Sequence, residues 1–498
     1  MMLKVLLATL LSFGCAERLS VDPSTSQFVD SVGNQYLFRG LNSVGKYAFE
    51  DVSDAQIDVM SGAGFNVVRL GFSWDLYETA PGVFSEEYLN SALDVIRRLG
   101  KRGIYSFIDM HQDVISHQFC GHGFPEFYSW PENTTDYMKG GKHAFPEPIA
   151  APEYGDDDEY SQDFGLITNC GEVESTPLGW AGTYATRALS SSVQMMYDNS
   201  DGRQDAFKEF WRRAAAAFKE EEFVLAYELV NEPWVGDVFR HPSLLVPSVA
   251  DKKTLAPFYD AIAESIREVD PDTIIFYEPS TGGNIQDTFK SGFEAGPGGK
   301  DFDSKNALSY HVYCPPLQTD IGDASKSKWT AKACEKASAW QIGVRGKDVT
   351  RLATAGFLTE FGAVDPTNEY AREYLAAVAD TTDELLHSWT YWYMHIDVEN
   401  GNPELKTLAR SYARRVNGSI KSMKFDSKNG DFEVTFVTGM VGEESEIFAS
   451  DEFYYDKGKV VEVGGEEGGA EARVEGDFVR VKNLVEGVEV TVKVSNKE

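Results

Sequence analysis

Positive charge is scarce in this sequence. Lysine and arginine number 46 against 79 aspartates and glutamates, a formal net charge of −33 over 498 residues. Such a chain repels phosphate backbones and anionic headgroups, so nucleic acid is set aside as a partner. Long apolar runs are scarce too. The run Val5 to Leu11 is too short to span a bilayer, and no second long one follows it. Several motifs are missing altogether. There is no His-Glu-x-x-His, no paired-cysteine metal pattern, no phosphate loop or dinucleotide fingerprint, and no Gly-x-Ser-x-Gly elbow. No cofactor and no metal is therefore expected, although His111 between Asp109 and Asp113 superficially resembles a ligand cluster.

What is present points to export. Lys4, the apolar run and the small residues Gly14, Cys15 and Ala16 read as a secretory signal over 1–16. A lipid-modified Cys15 is the alternative, poorly served by Phe13. Cleavage after Ala16 leaves Cys120, Cys170, Cys314 and Cys334. An even count in an exported chain suggests two disulfides. Three pairings are open. Cys120–Cys170 with Cys314–Cys334 is favoured, because each closes a local loop. Asn133 and Asn417 each begin a glycosylation sequon. The protein is expected outside the cell or in the lumen of the secretory pathway.

Short apolar runs alternate with helical stretches. Strands are expected at about 36–42, 65–71, 104–110, 224–230, 273–278, 306–313, 356–360 and 388–394. They are rich in β-branched and aromatic residues, as buried parallel strands are. Helices are expected over 54–62, 86–102, 203–218, 252–269 and 368–379. Eight such units imply a (β/α)8 barrel, an α/β fold, within a catalytic domain over 17–417. The connection from about 112 to 202 is unusually long and should wall the barrel mouth. Beyond 417 the pattern changes to period two with glycine turns, which predicts an antiparallel β-sandwich over 418–498.

Two expected strands deliver a carboxyl to the mouth. Strand four ends in Asn231-Glu232-Pro233, and strand seven in Thr359-Glu360-Phe361-Gly362. Either alone could be an ordinary solvated strand end. Together they suit cleavage of a glycosidic bond, where one carboxyl protonates the leaving oxygen and the other attacks or activates water. Glu278, ending strand five, is a further carboxylate at the mouth.

These two motifs resemble glycoside hydrolase family 5. Within it, Arg39 to Lys46, Asp109-Met110-His111-Gln112-Asp113, Tyr310 to Pro316 and Trp389-Thr390-Tyr391-Trp392 are similar to the endoglycoceramidases. The resemblance implies Glu232 as acid/base and Glu360 as nucleophile of a retaining β-glycosidase. It implies that Lys46 and Asp113 bind sugar hydroxyls, that His111 meets the glycone and that Asn231 holds the 2-hydroxyl. His311 and Tyr313 would flank the carboxyls, Tyr313 donating to Glu360, and Trp392 would be a stacking floor. The substrate implied is a glycosphingolipid, with transient contact to a lipid surface. A glucosyl- or galactosylceramidase, a steryl-β-glucosidase, a β-glucanase or mannanase, and an inactive carbohydrate- or lipid-binding protein are the alternatives.

Overall fold

A computed structural model describes residues 18–43, 49, 52–129, 183–184, 186–281, 288–319, 327–393, 396–398 and 401–497. The expected signal, Lys46, Asn133 and Cys170 lie outside these residues.

Eight parallel strands close into a barrel: β1 (Arg39–Ser43), β2 (Val67–Gly71), β3 (Tyr105–Asp109), β4 (Val224–Glu228), β5 (Ile274–Tyr277), β6 (Asn306–Val312), β7 (Ala355–Phe361) and β8 (Ser388–Tyr391). All eight expected strands are present, each trimmed or extended by a few residues. The first starts at Arg39 rather than 36, because Tyr36 ends a separate short strand, Asn34–Tyr36.

The helices form where local signals agree. Glu86–Gly100 is capped by Ser85, whose hydroxyl accepts from the Tyr88 amide at 3.2 Å. Glu86 and Glu87 occupy its first turn and Arg97 and Arg98 its last, matching the helix dipole. Its Leu89, Leu93, Ile96 and Leu99 are buried. Among the described residues, two helices of more than two turns go beyond the sequence-based expectation: Arg187–Tyr197, inside the long connection, and Lys328–Leu352.

The barrel is filled in two chemically different layers. Toward the amino ends of the strands, Phe107, Phe276 and Phe357 pack ring to ring, with centroids 5.1 to 5.2 Å apart. Phe28, from an N-terminal hairpin, closes this end against Phe38 at 5.5 Å. Above the phenylalanines the filling turns polar, and there the site lies.

The strands after the barrel form an antiparallel sheet domain. Strand Tyr412–Phe425 belongs to two leaves, pairing with Phe432–Thr438 in one and with Glu444–Phe448 in the other. Phe432, Val434, Phe436, Val490 and Val492 of one leaf face Ile447, Phe448, Val479 and Val481 of the other in a single core. The seam expected at 417/418 falls inside that strand. The N-terminal strands also join this sheet, with Asn34–Tyr36 pairing with Arg415–Asn417.

Burial corrects one expectation. Asn417 is 2% exposed, its amide donates to Asn34 Oδ1 at 2.7 Å, and its side-chain oxygen accepts from Asn483 at 2.9 Å. The folded chain leaves no room for a glycan there. The sequon reads as a modification site only while the strand's pairing is unknown.

Candidate active site

The site rests on the carboxyl ends of the strands. Counting by two from Phe357, which faces the barrel interior, Glu360 should point outward. It points inward because β7 is bulged: Tyr310 pairs with Leu358 and His311 with Glu360, leaving Thr359 over. Gly362 then turns the chain at φ 129°, where a Cβ would lie 2.2 Å from the Trp392 carbonyl oxygen. Only glycine lets the end of β7 approach the end of β8 this closely.

Glu232 is delivered differently. It follows β4 and adopts φ 43°, a left-handed conformation that is strained for glutamate. Its backbone N–H donates to Glu278 Oε2 at 2.8 Å. A carboxylate oxygen of Glu232, one of Glu360 and a ring nitrogen of His311 all lie within 4.8 Å of one another. The carboxyls sought on strands four and seven therefore meet at the carboxyl end of the barrel.

One cation organises the centre. Arg69, from β2, is fully buried. Its guanidinium donates to Glu228 at 2.6 Å, Asn42 at 3.1 Å, Asn231 Oδ1 at 2.7 Å and Glu360 Oε1, and stands 3.1 Å from Asp109. Tyr313 donates to Glu360 Oε2 at 2.7 Å. Both oxygens of Glu360 are thus held by fixed donors.

Carboxyls outnumber cations here, so some retain protons. Burial pushes Glu360 up to about 7, against the pull of His311 and Arg69. Burial likewise raises Asp109 to about 7. Glu278 is raised well above the usual range by burial and then by the nearby charge of Glu232. Burial lowers His311 to about 4, so its contact with Glu232 Oε1 at 2.8 Å is made by a neutral imidazole near pH 7.

A ring stack forms a second wall. Trp392 lies parallel to His111, centroids 5.4 Å apart, and His111 lies on His122 at 5.5 Å. Asp109 holds His111 Nδ1 at 2.7 Å, and Asp113 holds His122 Nε2 at 2.9 Å. Trp392 is half-buried, as a platform for a sugar's C–H face would be. Asn231 is 1% exposed, with its oxygen on Arg69 and its N–H donating to the Gln112 carbonyl at 2.8 Å.

Comparison with known proteins decides the family. The glycosyl hydrolase family 5 (cellulase) model matches residues 29–160 and 183–397, and the glycoside hydrolase family 5 C-terminal domain matches 410–494. The chain belongs to glycosyl hydrolase family 5. It is 32% identical to the endoglycoceramidase of Cyanea nozakii over 479 residues, 89% of this chain and 87% of that one. It is also 32% identical to the endoglycoceramidase of Hydra vulgaris, over 87% of this chain and 80% of that one. The fold matches endo-glycoceramidase II from Rhodococcus sp., solved as a ganglioside GM3 complex, with a TM-score of 0.72 and 22% identity, over 95% of this chain and 100% of that one.

For this family 5 glycosidase, the structure brings together His111, Asp113, Asn231, Glu232, His311, Tyr313, Glu360 and Trp392, the expected site residues within the described chain. Sequence reasoning missed Arg69 and His122. A signal for Arg69 was present: an arginine inside the apolar run Val67-Val68-Arg69-Leu70 has no place in a buried strand without acidic partners. His122 carried no such signal, since nine residues of loop separate it from Asp113. His111, Asp113 and His122 are close enough to meet one ion, as are Glu228, Glu278 and His311. In the first group Asp109 holds His111 and Asp113 holds His122; in the second Glu228 accepts from Arg69, Glu278 accepts from the Glu232 N–H, and His311 contacts the Glu232 carboxylate.

Both cysteines of one expected pair are joined. Cys314 and Cys334 form a disulfide with Cα atoms 5.6 Å apart. Cys120 is also disulfide-bonded, to a partner outside the described residues.

Proposed function

We propose that this protein is a retaining β-glycosidase that cleaves between the glycan and the ceramide of glycosphingolipids. The observation that carries the mechanism is the approach of the Glu232 and Glu360 carboxyls to within 4.8 Å. Retaining glycosidases hold their carboxyls about 5–5.5 Å apart, whereas inverting ones need room for an intervening water, about 6.5–9.5 Å.

In this reading Glu360 attacks the anomeric carbon while Glu232 gives its proton to the leaving oxygen. A covalent glycosyl-enzyme forms, and ceramide departs. Glu232, now a base, takes a proton from water, which displaces Glu360 with net retention. Arg69 and Tyr313 aim the nucleophile, and the neutral His311 holds the acid/base without competing for its charge. Lys46, His111, Asp113 and Asn231 bind sugar hydroxyls, and Trp392 is the stacking floor.

The substrate class rests on similarity to two curated endoglycoceramidases along most of their length. Incubation with a defined ganglioside, a monohexosylceramide and a soluble β-glucan, with mass analysis of products, tests it. The expected result is intact oligosaccharide plus ceramide from the ganglioside. Cleavage of the glucan alone would refute the substrate. NMR of the first-formed sugar should show the β anomer, and an α product would refute the mechanism.

We also propose export through the secretory pathway, with residues 1–16 as the signal and Asn133 glycosylated. The disulfide chemistry supports an oxidising compartment. Protein recovered from the medium of expressing eukaryotic cells should begin at Glu17. Retention of 1–16 would remove the signal reading.

A further inference from the structure

The helix Lys328–Leu352 starts at the carboxyl end of β6, the strand that leads to His311 and Tyr313. At 3.6 residues per turn, Trp329, Lys332, Lys336, Trp340 and Lys347 fall within about 80° of one another around its axis. They form one outward stripe. Trp329 is 87% exposed and Trp340 62% exposed, and the three lysines face solvent. Phe289, 49% exposed, adjoins the stripe, since Trp340 Nε1 donates to the carbonyl of the preceding Thr288 at 3.3 Å. The opposite face buries Cys334, Ile342, Val349 and Leu352.

The stripe is locally positive in a strongly negative protein. The helix has two acids. Glu335 is paired with Lys332 at 2.7 Å, the exposed Glu373 of the neighbouring helix Glu369–Glu384 also acts on Lys332, and Asp348 is buried between Arg345 and Arg351, so Lys336 and Lys347 carry the net positive charge of the stripe. At physiological salt, charges farther than about 8 Å from a surface are largely screened, so this stripe and not the net charge governs close approach. Two indoles left in water are unfavourable on an ordinary solvated helix face. Tryptophan and lysine together are what the headgroup region of a bilayer accommodates. A second copy docked symmetrically on the same face would set lysines against lysines. A neutral polysaccharide would leave the lysines without a role.

We propose that this stripe docks the protein on a bilayer surface containing anionic lipid. The two tryptophans stand about 16 Å apart along the helix, so the helix lies along the surface and not on end. The Cys314–Cys334 disulfide ties its first two turns to the segment beside Tyr313. Docking therefore lays the flank of the barrel on the surface, with the end of the helix tied to the Tyr313 segment nearest the site. The inference is independent of the substrate reading, because its test uses lipid without sugar.

The test is co-sedimentation of the full chain with vesicles of phosphatidylcholine, with and without phosphatidylserine, at physiological salt. Binding to the mixed vesicles is expected, weaker on phosphatidylcholine alone and weakened by added salt. Trp329→Ser with Trp340→Ser, and separately Lys332→Glu with Lys336→Glu, should each reduce binding about tenfold or more. Thermal unfolding midpoints show that the variants remain folded. Lys424→Glu, on the C-terminal sheet, should bind like the parent. Absence of binding by the parent, or undiminished binding by both double variants, overturns the proposal. So does a dimer in light scattering that the tryptophan variant dissolves.

Discussion

Glu360 carries its function at a cost in stability. Its ordinary value is 4.5 and burial raises it to about 7 in the folded chain. Between these values the native state keeps a proton that the unfolded state has released. Stability therefore falls as pH rises through that window and is level above it. Glu360→Gln should abolish activity and flatten this fall, as read from unfolding midpoints across the window. An unchanged slope would assign the dependence to other groups. Arg69 works in the opposite direction. Without its charge, Glu360 holds its proton to higher pH. Arg69→Gln should move the acid limb of kcat/KM upward and destabilise the fold by about 3–5 kcal/mol, since three acidic partners lose their cation.

Glu278 positions the acid/base without reaching the substrate. It accepts from the backbone of a left-handed Glu232 and stands 3.6 Å from His311 Nδ1. A glutamine supplies the same acceptor, so Glu278→Gln should keep most of the activity. Glu278→Ala should lose about tenfold or more in kcat, with KM little changed, because a buried N–H is left unpaired. Equal loss in both variants would show that the charge, and not the acceptor, matters.

At the scale of elements, period and type were legible wherever burial was uniform. The eight barrel strands are buried on both faces along most of their length, and the short apolar runs in them stand out between amphipathic helices. The helix Lys328–Leu352 was not legible. Its buried side includes Gln341, Arg345 and Asp348 and its exposed side two tryptophans, so the polarity contrast that marks an amphipathic helix is inverted in places. The N-terminal hairpin was hidden for another reason: its partners lie nearly 400 residues away in sequence. The disulfide on the long helix gives a test at this scale. Cys334→Ser opens a link between residues 20 apart, which should lower stability by about 2–4 kcal/mol in denaturant unfolding. An unchanged midpoint would mean that packing alone holds the helix.

At the scale of the whole molecule, barrel and sheet domain are interlocked. Strands before the barrel pair with strands after it. Tyr412 donates to the Gly64 carbonyl at 2.8 Å, and Arg414 to that of Gly103 at 2.9 Å. Arg39 of β1 and Arg410 share Asp383. A chain ending at residue 409 should therefore not fold as a soluble barrel, and the full chain should unfold in one calorimetric transition. Two separated transitions, or a soluble truncated barrel, would show independent domains.

The sequence alone determined the alternation of eight short buried strands with helices, the change to period-two strands near the end, and the two glutamates at the ends of strands four and seven. These are local properties, written in neighbouring residues. Tertiary structure alone decided that Glu360 turns inward to meet Glu232 and Arg69, since that needs the bulge at Thr359 against β6. It alone decided that Arg69 meets Asp109, Glu228 and Glu360, and that Asn417 is sealed between strands. Each depends on which distant segments touch, and closure of the barrel, which no short stretch of chain specifies, sets those contacts.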